Sequence, residues 1–271
     1  MKKVLTLIAA AAAILFVASC GNRQTSGSNE AEETVKSELE LQAEALIKIH
    51  LDSIASEITK VNPIGIVGAV KEGKVVLSDK EKQVKPDYLA DPKNANKLQT
   101  LSQKYRAIAL YCVDKEIAKL YDMNLNPYNV ALTKLYADVN DAALKSFAEG
   151  LEIKESIQSF YDAEKEAGRD HLFWEAVTAA IVEQMYIAAQ NTEKFIVAFD
   201  DESASDFTWY ITLLTAAVDD LASINKEYVY LNAALAPLTK LNAINVAQFE
   251  QQLNSIKEER AKRKAAAEAA A

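Results

Sequence analysis

Apolar residues recur every three or four positions along most of the chain, which is the spacing of one face of an α-helix. The first such segment runs from Ala31 to Lys60 and carries Leu51, Ile54, Ile58 and Val61 on one face. We expect Asn62-Pro63 to end it, because the residue before proline disfavours the helical conformation. Three earlier positions continue the same rhythm and extend the predicted stripe: Leu39, Ala43 and Leu46.

Two later segments are apolar on more than one face, which predicts helices in the centre of a bundle. The first covers Lys93 to Asp122, with Asp91 as N-cap and Pro92 at the first helical position. The second covers His171 to Gln190 and is capped by Asp170. Its polar side chains form one narrow strip: Glu175, Thr178 and Glu183.

Further helical segments complete the pattern, and with only seven glycines and five prolines little interrupts them. A capping box is expected at Ser203 and Asp206. The fold class predicted is all-α, a single bundle of about eight helices. The remaining helices are expected from Asn126-Pro127 to Val139, Ala142 to Glu149, Glu152 to Ala167, after Asn225, and from about Val246.

Residues 62–96 hold half of the chain's glycines and prolines, three of each, and are irregular. Two structures fit Ile64 to Leu77. One is a hairpin that turns at Glu72-Gly73, and the other is a short helix from Ile64 to Lys71 with Gly73 as a left-handed cap. The segment lacks strict alternation of apolar and polar residues, which favours the helix.

The first twenty residues have the pattern of a signal peptide. Lys2 and Lys3 precede an apolar stretch from Val4 to Ala18 that is too short for a comfortable membrane span. Small residues before Cys20 resemble the lipobox of bacterial lipoproteins. The resemblance implies cleavage before Cys20, a diacylglycerol on its thiol and an acyl chain on its freed amine. The predicted organisation is a signal peptide at 1–19, a polar tether at 20–33, a helical domain at 34–260 and a charged, Ala-rich tail at 261–271.

The residues after the predicted anchor bear on location. Gly21, in place of aspartate, favours the outer membrane by the enterobacterial sorting pattern that it resembles. The first acidic residue after Cys20 is Glu30, too distant to resemble a strong surface-export signal. We therefore expect a domain that faces the periplasm, with the cell surface as the alternative.

Charge and cysteine content exclude several classes. Cleavage takes two lysines and no acid from a chain of net charge −9, which leaves −11 and argues against nucleic acid as a partner. Only Cys112 remains once Cys20 is acylated, so no intrachain disulfide is expected. Cys112 lies on an apolar stripe without a basic neighbour, which favours a core residue over a nucleophile.

No catalytic, cofactor or metal site is predicted. His171 and Glu175 share a helix face, but a metal needs three or four ligands. The only other histidine, His50, is expected to be a satisfied or half-buried residue on the inner half of the first helix. The chain has no nucleophile elbow, no H-E-x-x-H and no phosphate loop. The adjacent acids Asp200-Asp201 and Asp219-Asp220 are typical of caps and solvated faces.

Aromatic residues are the one feature that could line a ligand groove, although core packing explains them equally well. Two functions follow, and the missing motifs disfavour an enzyme. The first is a lipid-anchored, non-catalytic accessory or interaction module whose partner the sequence does not identify, and the alternative is a small-molecule or glycan-binding lipoprotein. The aromatic residues in question are Tyr105, Tyr111, Tyr121, Tyr128, Tyr136, Trp174, Tyr186, Trp209, Tyr210, Tyr228 and Tyr230.

Three short segments carry a family resemblance: Tyr111-Cys112-Val113-Asp114, Tyr128 to Val139, and Phe173-Trp174-Glu175. Their order between residues 61 and 190 resembles a group of uncharacterised all-helical lipoproteins of Bacteroidota-type bacteria. That group has a Tyr-small-x-Asp motif and a Gly-Gly-Trp-x-Glu motif, whereas this chain has Leu172-Phe173 in place of the two glycines. The resemblance implies an all-α fold and an envelope location, and no activity.

Overall fold

The structure is a computed structural model that describes residues 38–61 and 65–269. Those two ranges contain twelve α-helices, three 3-10 helices and no strand, which confirms the all-α class. Eight of the α-helices have eight or more residues. The α-helices are α1 Glu38–Ile58, α2 Ile66–Lys71, α3 Asp79–Gln83, α4 Leu101–Leu120, α5 Asn126–Val139, α6 Ala142–Glu149, α7 Lys154–Glu166, α8 Asp170–Gln190, α9 Thr192–Phe195, α10 Asp201–Ile224, α11 Val229–Leu235 and α12 Val246–Ala269; the 3-10 helices are Pro92–Lys97, Ile196–Ala198 and Lys226–Tyr228.

Helices α4 and α8 form the centre of the bundle, as their apolar faces predicted. Seventeen of the 21 residues of α8 are buried, and thirteen of the 20 residues of α4. These two helices share the most extensive helix–helix interface, and α7, α10, α11 and α12 also pack on α8. Helix α1 packs on α10 at the edge of the bundle. The polar strip of α8 therefore lies inside the protein.

The start of α4 differs from the predicted one. Asp91 does act as an N-cap and accepts a hydrogen bond from the backbone N–H of Lys93 at 3.0 Å, but the helix that it caps is the 3-10 helix Pro92–Lys97. Thr100 and Gln103 then form a reciprocal capping box that starts α4 at Leu101. A second cap, unnoticed in the sequence, thus moves the start by eight residues.

Three predicted helix caps, at Asn126, Asp170 and Ser203, are also misplaced, and the starts of α5, α8 and α10 shift by one to three residues. Asp200 caps α10, and Ser203 is the reciprocal member of that box instead of its cap. Asp170 is the first residue of α8 and does not cap it. Leu125, and not Asn126, occupies the N-cap position of α5. In each case a neighbouring residue takes the cap position, which local composition alone does not distinguish.

The short helix between the first two long ones is confirmed. Helix α2 covers Ile66–Lys71, and Gly73 has φ +73°, the left-handed conformation expected of a glycine after a helix. Ile64, where the sequence placed the helix start, lies outside the described residues.

The first helix matches its prediction in only one half. Leu51, Ile54 and Ile58 are buried as expected, but Leu39 and Leu46 are 77% and 67% exposed. The prediction that these earlier residues extend the buried stripe is therefore wrong. Residues 1–37, which include the predicted signal peptide, Cys20 and the tether, lie outside the described residues. At the other end, α12 continues through most of the predicted tail, to Ala269.

Candidate functional site

The interface between α4 and α8 contains a buried ion pair. The Arg106 guanidinium donates a hydrogen bond to the Glu175 carboxylate, and both side chains are only 1% exposed. Tyr230 donates its hydroxyl to the same carboxylate, and its ring centroid lies 4.5 Å from Arg106 Cζ. Burial and the Glu175 carboxylate raise the pKa of Tyr230. The three groups form one closed network.

The same two helices hold a pair of carboxyls further along the interface. Asp114 is fully buried, Glu183 is 2% exposed, and the two carboxyls lie close enough to interact electrostatically. Two buried carboxyls side by side disfavour the state in which both are ionised. Burial, reinforced by the Glu183 carboxyl, raises the pKa of Asp114 well above its ordinary value of 3.8.

Asp114 also fixes the irregular segment before α4. Its Oδ2 accepts a hydrogen bond from the backbone N–H of Ala90 at 2.8 Å. The Tyr128 hydroxyl donates to the Ala90 carbonyl at 3.1 Å, and the Tyr111 hydroxyl donates to the Asp91 carbonyl at 3.3 Å. Asp114 and the two tyrosines therefore stabilise the path of residues 90–91 over the central helices.

The two polar pairs reveal how α4 and α8 are oriented. In each pair the α8 residue lies 69 positions after its α4 partner. A constant offset means that the helices run in the same direction. Within each helix the two polar residues are eight positions apart, slightly more than two turns.

A third polar cluster joins the starts of α6 and α8 to the end of α7. Asp141 Oδ2 accepts a hydrogen bond from the Tyr105 hydroxyl at 2.6 Å and from Arg169 Nη2 at 2.8 Å. Its other oxygen accepts the backbone N–H of Leu144 at 2.9 Å, which caps α6. Arg169 also donates to the Glu164 carboxyl at 3.3 Å.

The two carboxyls of this third cluster have pKa values shifted in opposite directions. Burial, and then contact with Asp141, raises the pKa of Glu164 to about 8. Burial alone would raise the pKa of Asp141 as well, but hydrogen bonds from Glu164, Tyr105 and Leu144 outweigh it and lower that pKa. At neutral pH Glu164 therefore holds the proton and Asp141 carries the charge. Such a division also serves acid–base catalysis, provided that a substrate can reach the pair.

Two surface grooves offer room for a ligand, and no residue of the three clusters lines either one. The first, of about 310 Å³, lies between α1, the start of α8 and the end of α10. Its walls include Lys48, His171 and Tyr228. The second, of about 360 Å³, lies between residues 70–82 and the end of α4. Because no residue of the carboxyl pairs lines either groove, we assign those pairs to the stability of the core.

The candidate metal and thiol residues have other partners. Glu175 is turned to Arg106, while the His171 ring lies 6.1 Å from the Tyr228 ring. His50 Nδ1 is 2.6 Å from Asp220 Oδ2. Within residues 38–61 and 65–269, no three His, Cys, Asp or Glu side chains are grouped as metal ligands. Cys112 is 7% exposed and lies 3.3 Å from the Tyr136 hydroxyl, and burial raises the pKa of its thiol to about 11.

The aromatic side chains pack mainly against one another. Phe160 is the centre of one cluster, with ring centroids 4.8 Å from Phe147 and 5.5 Å from Phe173. Of the tyrosines and tryptophans singled out in the sequence, Tyr228 alone lines one of the two grooves, and Trp209 is half exposed. Tyr230, in the ion-pair network, is partly exposed. Six of the others are buried: Tyr105, Tyr111, Tyr121, Tyr128, Trp174 and Tyr210.

Some residues of these polar clusters could be recognised in the sequence, and others could not. Glu175 and Glu183 stand out as the polar strip of α8, and Asp114 belongs to the motif that carried the resemblance. Arg106 and Glu164 passed unnoticed. The sequence did contain a signal for Arg106, which follows Tyr105 and precedes a run of alternating alanine and aliphatic residues. A charge on the apolar face of a helix needs a buried partner.

Comparisons with protein families, with curated proteins and with solved structures found no match to this chain. Among the described helices, none is both long enough and apolar enough to cross a membrane.

Proposed function

We propose that this chain is a lipid-anchored protein of the cell envelope, attached at the outer membrane through Cys20, with its helical domain facing the periplasm. The observation that carries the proposal is the order of features in residues 1–20: two lysines, an apolar stretch and small residues directly before a cysteine. Several acyl chains on one cysteine give stable anchoring, whereas a single chain gives only marginal binding.

We further propose that the domain is a non-catalytic accessory or interaction module. Two of its three polar clusters are buried at the interface of α4 and α8, and no residue of any of the three lines either groove. An enzyme would need such a perturbed acid–base pair beside a pocket. The alternative, ligand binding in an aromatic groove, receives less support because most of the aromatic side chains fill the core.

The anchor is tested by substitution of each cysteine in turn. In cells labelled with radioactive palmitate, we expect the wild type and Cys112→Ala to incorporate label, to be processed in a globomycin-sensitive way and to fractionate with the outer membrane. Cys20→Ala should remain unlabelled and accumulate as the longer precursor. Unchanged processing and membrane fractionation of Cys20→Ala would contradict the proposal.

The orientation is tested separately, on intact cells. An added protease should leave the domain uncut until the outer membrane is permeabilised. Digestion of the domain in intact cells would place it at the cell surface instead.

A further inference from the structure

The first three turns of α1 carry apolar side chains that no part of the described chain covers. Leu39, Leu46 and Ile49 are 77%, 67% and 65% exposed. Ile47 between them is partly buried, and full burial begins at Leu51, which is 1% exposed. Large aliphatic side chains exposed singly are ordinary, but three on one helix face form a patch that calls for a partner.

The patch and the buried stripe lie on different sides of the same helix. Each residue advances an α-helix by about 100°, so the five-residue step from Leu46 to Leu51 turns the face by about 140°. Leu39 and Leu46, seven residues apart, lie almost in line, and Ile49 follows one turn later. We call these three residues the outer stripe. It points away from the body of the protein while Leu51, Ile54 and Ile58 point into it.

The charges around the outer stripe argue against a parallel pair of α1 helices as its cover. Glu38, Glu40 and Glu44 lie along the same stretch of α1 as Leu39 and Leu46. A parallel pair would bring each glutamate towards its own copy, and like charges in such positions are unfavourable.

The length of chain before α1 points to the membrane instead. Only 18 positions separate Cys20 from Glu38, so even a fully extended chain spans no more than about 60 Å. An acylated Cys20 therefore holds the outer stripe at a high effective concentration next to one lipid surface. Acidic residues beside the stripe disfavour anionic lipids and are compatible with zwitterionic headgroups.

We propose that the outer stripe, Leu39, Leu46 and Ile49, docks on the zwitterionic surface of the leaflet that holds the acylated Cys20. The α1 helix then lies along the bilayer with its apolar residues at the boundary between headgroups and acyl chains, as interfacial helices do. The inference rests on the proposed anchor for its location. The docking holds the domain against the membrane instead of at the full length of the tether.

The test uses the chain from Cys20 to Ala271, coupled through the Cys20 thiol to a maleimide lipid in phosphatidylcholine vesicles. Cys112 competes poorly because it is 7% exposed. Trp209 is replaced by phenylalanine, which leaves the buried Trp174 as a constant background. A single reporter is then introduced, either Leu46→Trp in the outer stripe or Val130→Trp on α5, at a position of similar exposure, 62%.

We expect lipids brominated in their acyl chains to quench the reporter at 46 and to leave the reporter at 130 unchanged. Replacement of part of the phosphatidylcholine by anionic phosphatidylglycerol should reduce the quenching. Equal quenching of the two coupled reporters by the brominated lipids would overturn the docking. Chemical coupling keeps this result independent of the cellular anchor, because failure of acylation in cells would appear only in the Cys20→Ala experiment.

A second measurement avoids the added tryptophan. The uncoupled chain, with Cys20→Ser, should bind phosphatidylcholine vesicles weakly, and Leu39→Ser, Leu46→Ser and Ile49→Ser together should weaken that binding by about tenfold. The matched control is Val76→Ser, Val84→Ser and Val130→Ser, three valines of similar exposure, which should change nothing. A protein dimer that the outer-stripe substitutions dissociate would show that a second copy covers the stripe and would refute the proposal.

Discussion

Two regions of this protein reverse the usual placement of polar and apolar residues. The centre of the bundle, between α4 and α8, encloses an arginine, three carboxyls and a tyrosine hydroxyl. The outer face of α1 exposes two leucines and an isoleucine. Each interior charged group lies beside another polar group of the set, whereas the exterior apolar residues have no partner within the described chain.

The difference separates structural constraint from outward interaction. A buried charge that meets its partner fixes the register of two helices, because a shift of either helix would leave that charge unsatisfied. An exposed leucine contributes little to the fold of its own chain. The interior polar groups therefore explain how α4 and α8 are aligned, and the outer stripe is where we look for a surface that the fold itself does not need.

The largest effect is expected from breaking the central ion pair. Arg106→Met leaves the Glu175 carboxylate buried beside Tyr230 without its cation, which should lower the free energy of unfolding by about 3–5 kcal/mol. Urea denaturation measures the change. The double variant Arg106→Met with Glu175→Leu should recover most of the loss, because no unpaired charge remains. A cost below about 1 kcal/mol for the single variant would mean that water reaches the pair.

The pair of Asp141 and Glu164 should make the free energy of unfolding depend on pH. The pKa of Glu164 is raised from 4.5 to about 8 in the folded protein. The folded state therefore binds the proton more tightly than the unfolded state, so the contribution is full below pH 4.5 and is lost as pH rises through about 8.

Glu164→Gln tests this contribution, since glutamine cannot ionise. The wild type should lose stability relative to this variant by at most about 1.4 kcal/mol per pH unit across that window. Urea denaturation at several pH values gives the difference, and Glu193→Gln, an exposed position, is the control. A difference independent of pH would exclude a shared proton at Asp141 and Glu164.

Whether a feature of the fold could be predicted from the sequence depended on how far apart its interacting residues lie along the chain. The bounds of α6, Ala142 to Glu149, and the left-handed Gly73 follow from local pattern, and the structure has both as predicted. The central position of α4 and α8 follows from composition. The partner of Arg106 lies 69 positions away, and no local rule relates it to Glu175.

The misread half of α1 has a similar cause. Leu39 and Leu46 repeat at a helical spacing, and so do Leu51 and Ile58, but the step between the two sets is five residues. A spacing of three or four keeps a face, whereas five changes it. The lipobox at Cys20 is a prediction that the sequence alone permits, because all of its features are adjacent in sequence.

A smaller effect is expected at the start of α4. Thr100→Ala removes the hydroxyl that accepts the backbone N–H of Gln103 at 3.2 Å, which should cost about 1 kcal/mol. Asp91→Ala, which removes the cap that the sequence favoured, affects only a 3-10 helix of six residues and should cost less. Urea denaturation of both variants decides which residue starts the helix. A larger loss for Asp91→Ala would restore the predicted start near Lys93.

The smallest effect is expected from the outer stripe itself. Leu46→Ala changes a side chain that is 67% exposed and should alter the free energy of unfolding of the uncoupled chain by less than about 0.5 kcal/mol. Leu51→Ala, five residues later on the buried face, should cost about 2–5 kcal/mol. Urea denaturation of the two variants compares the two faces of one helix. A large cost at Leu46 would show that the outer stripe is covered by the chain's own residues, and the membrane would then have no apolar surface on α1 to bind.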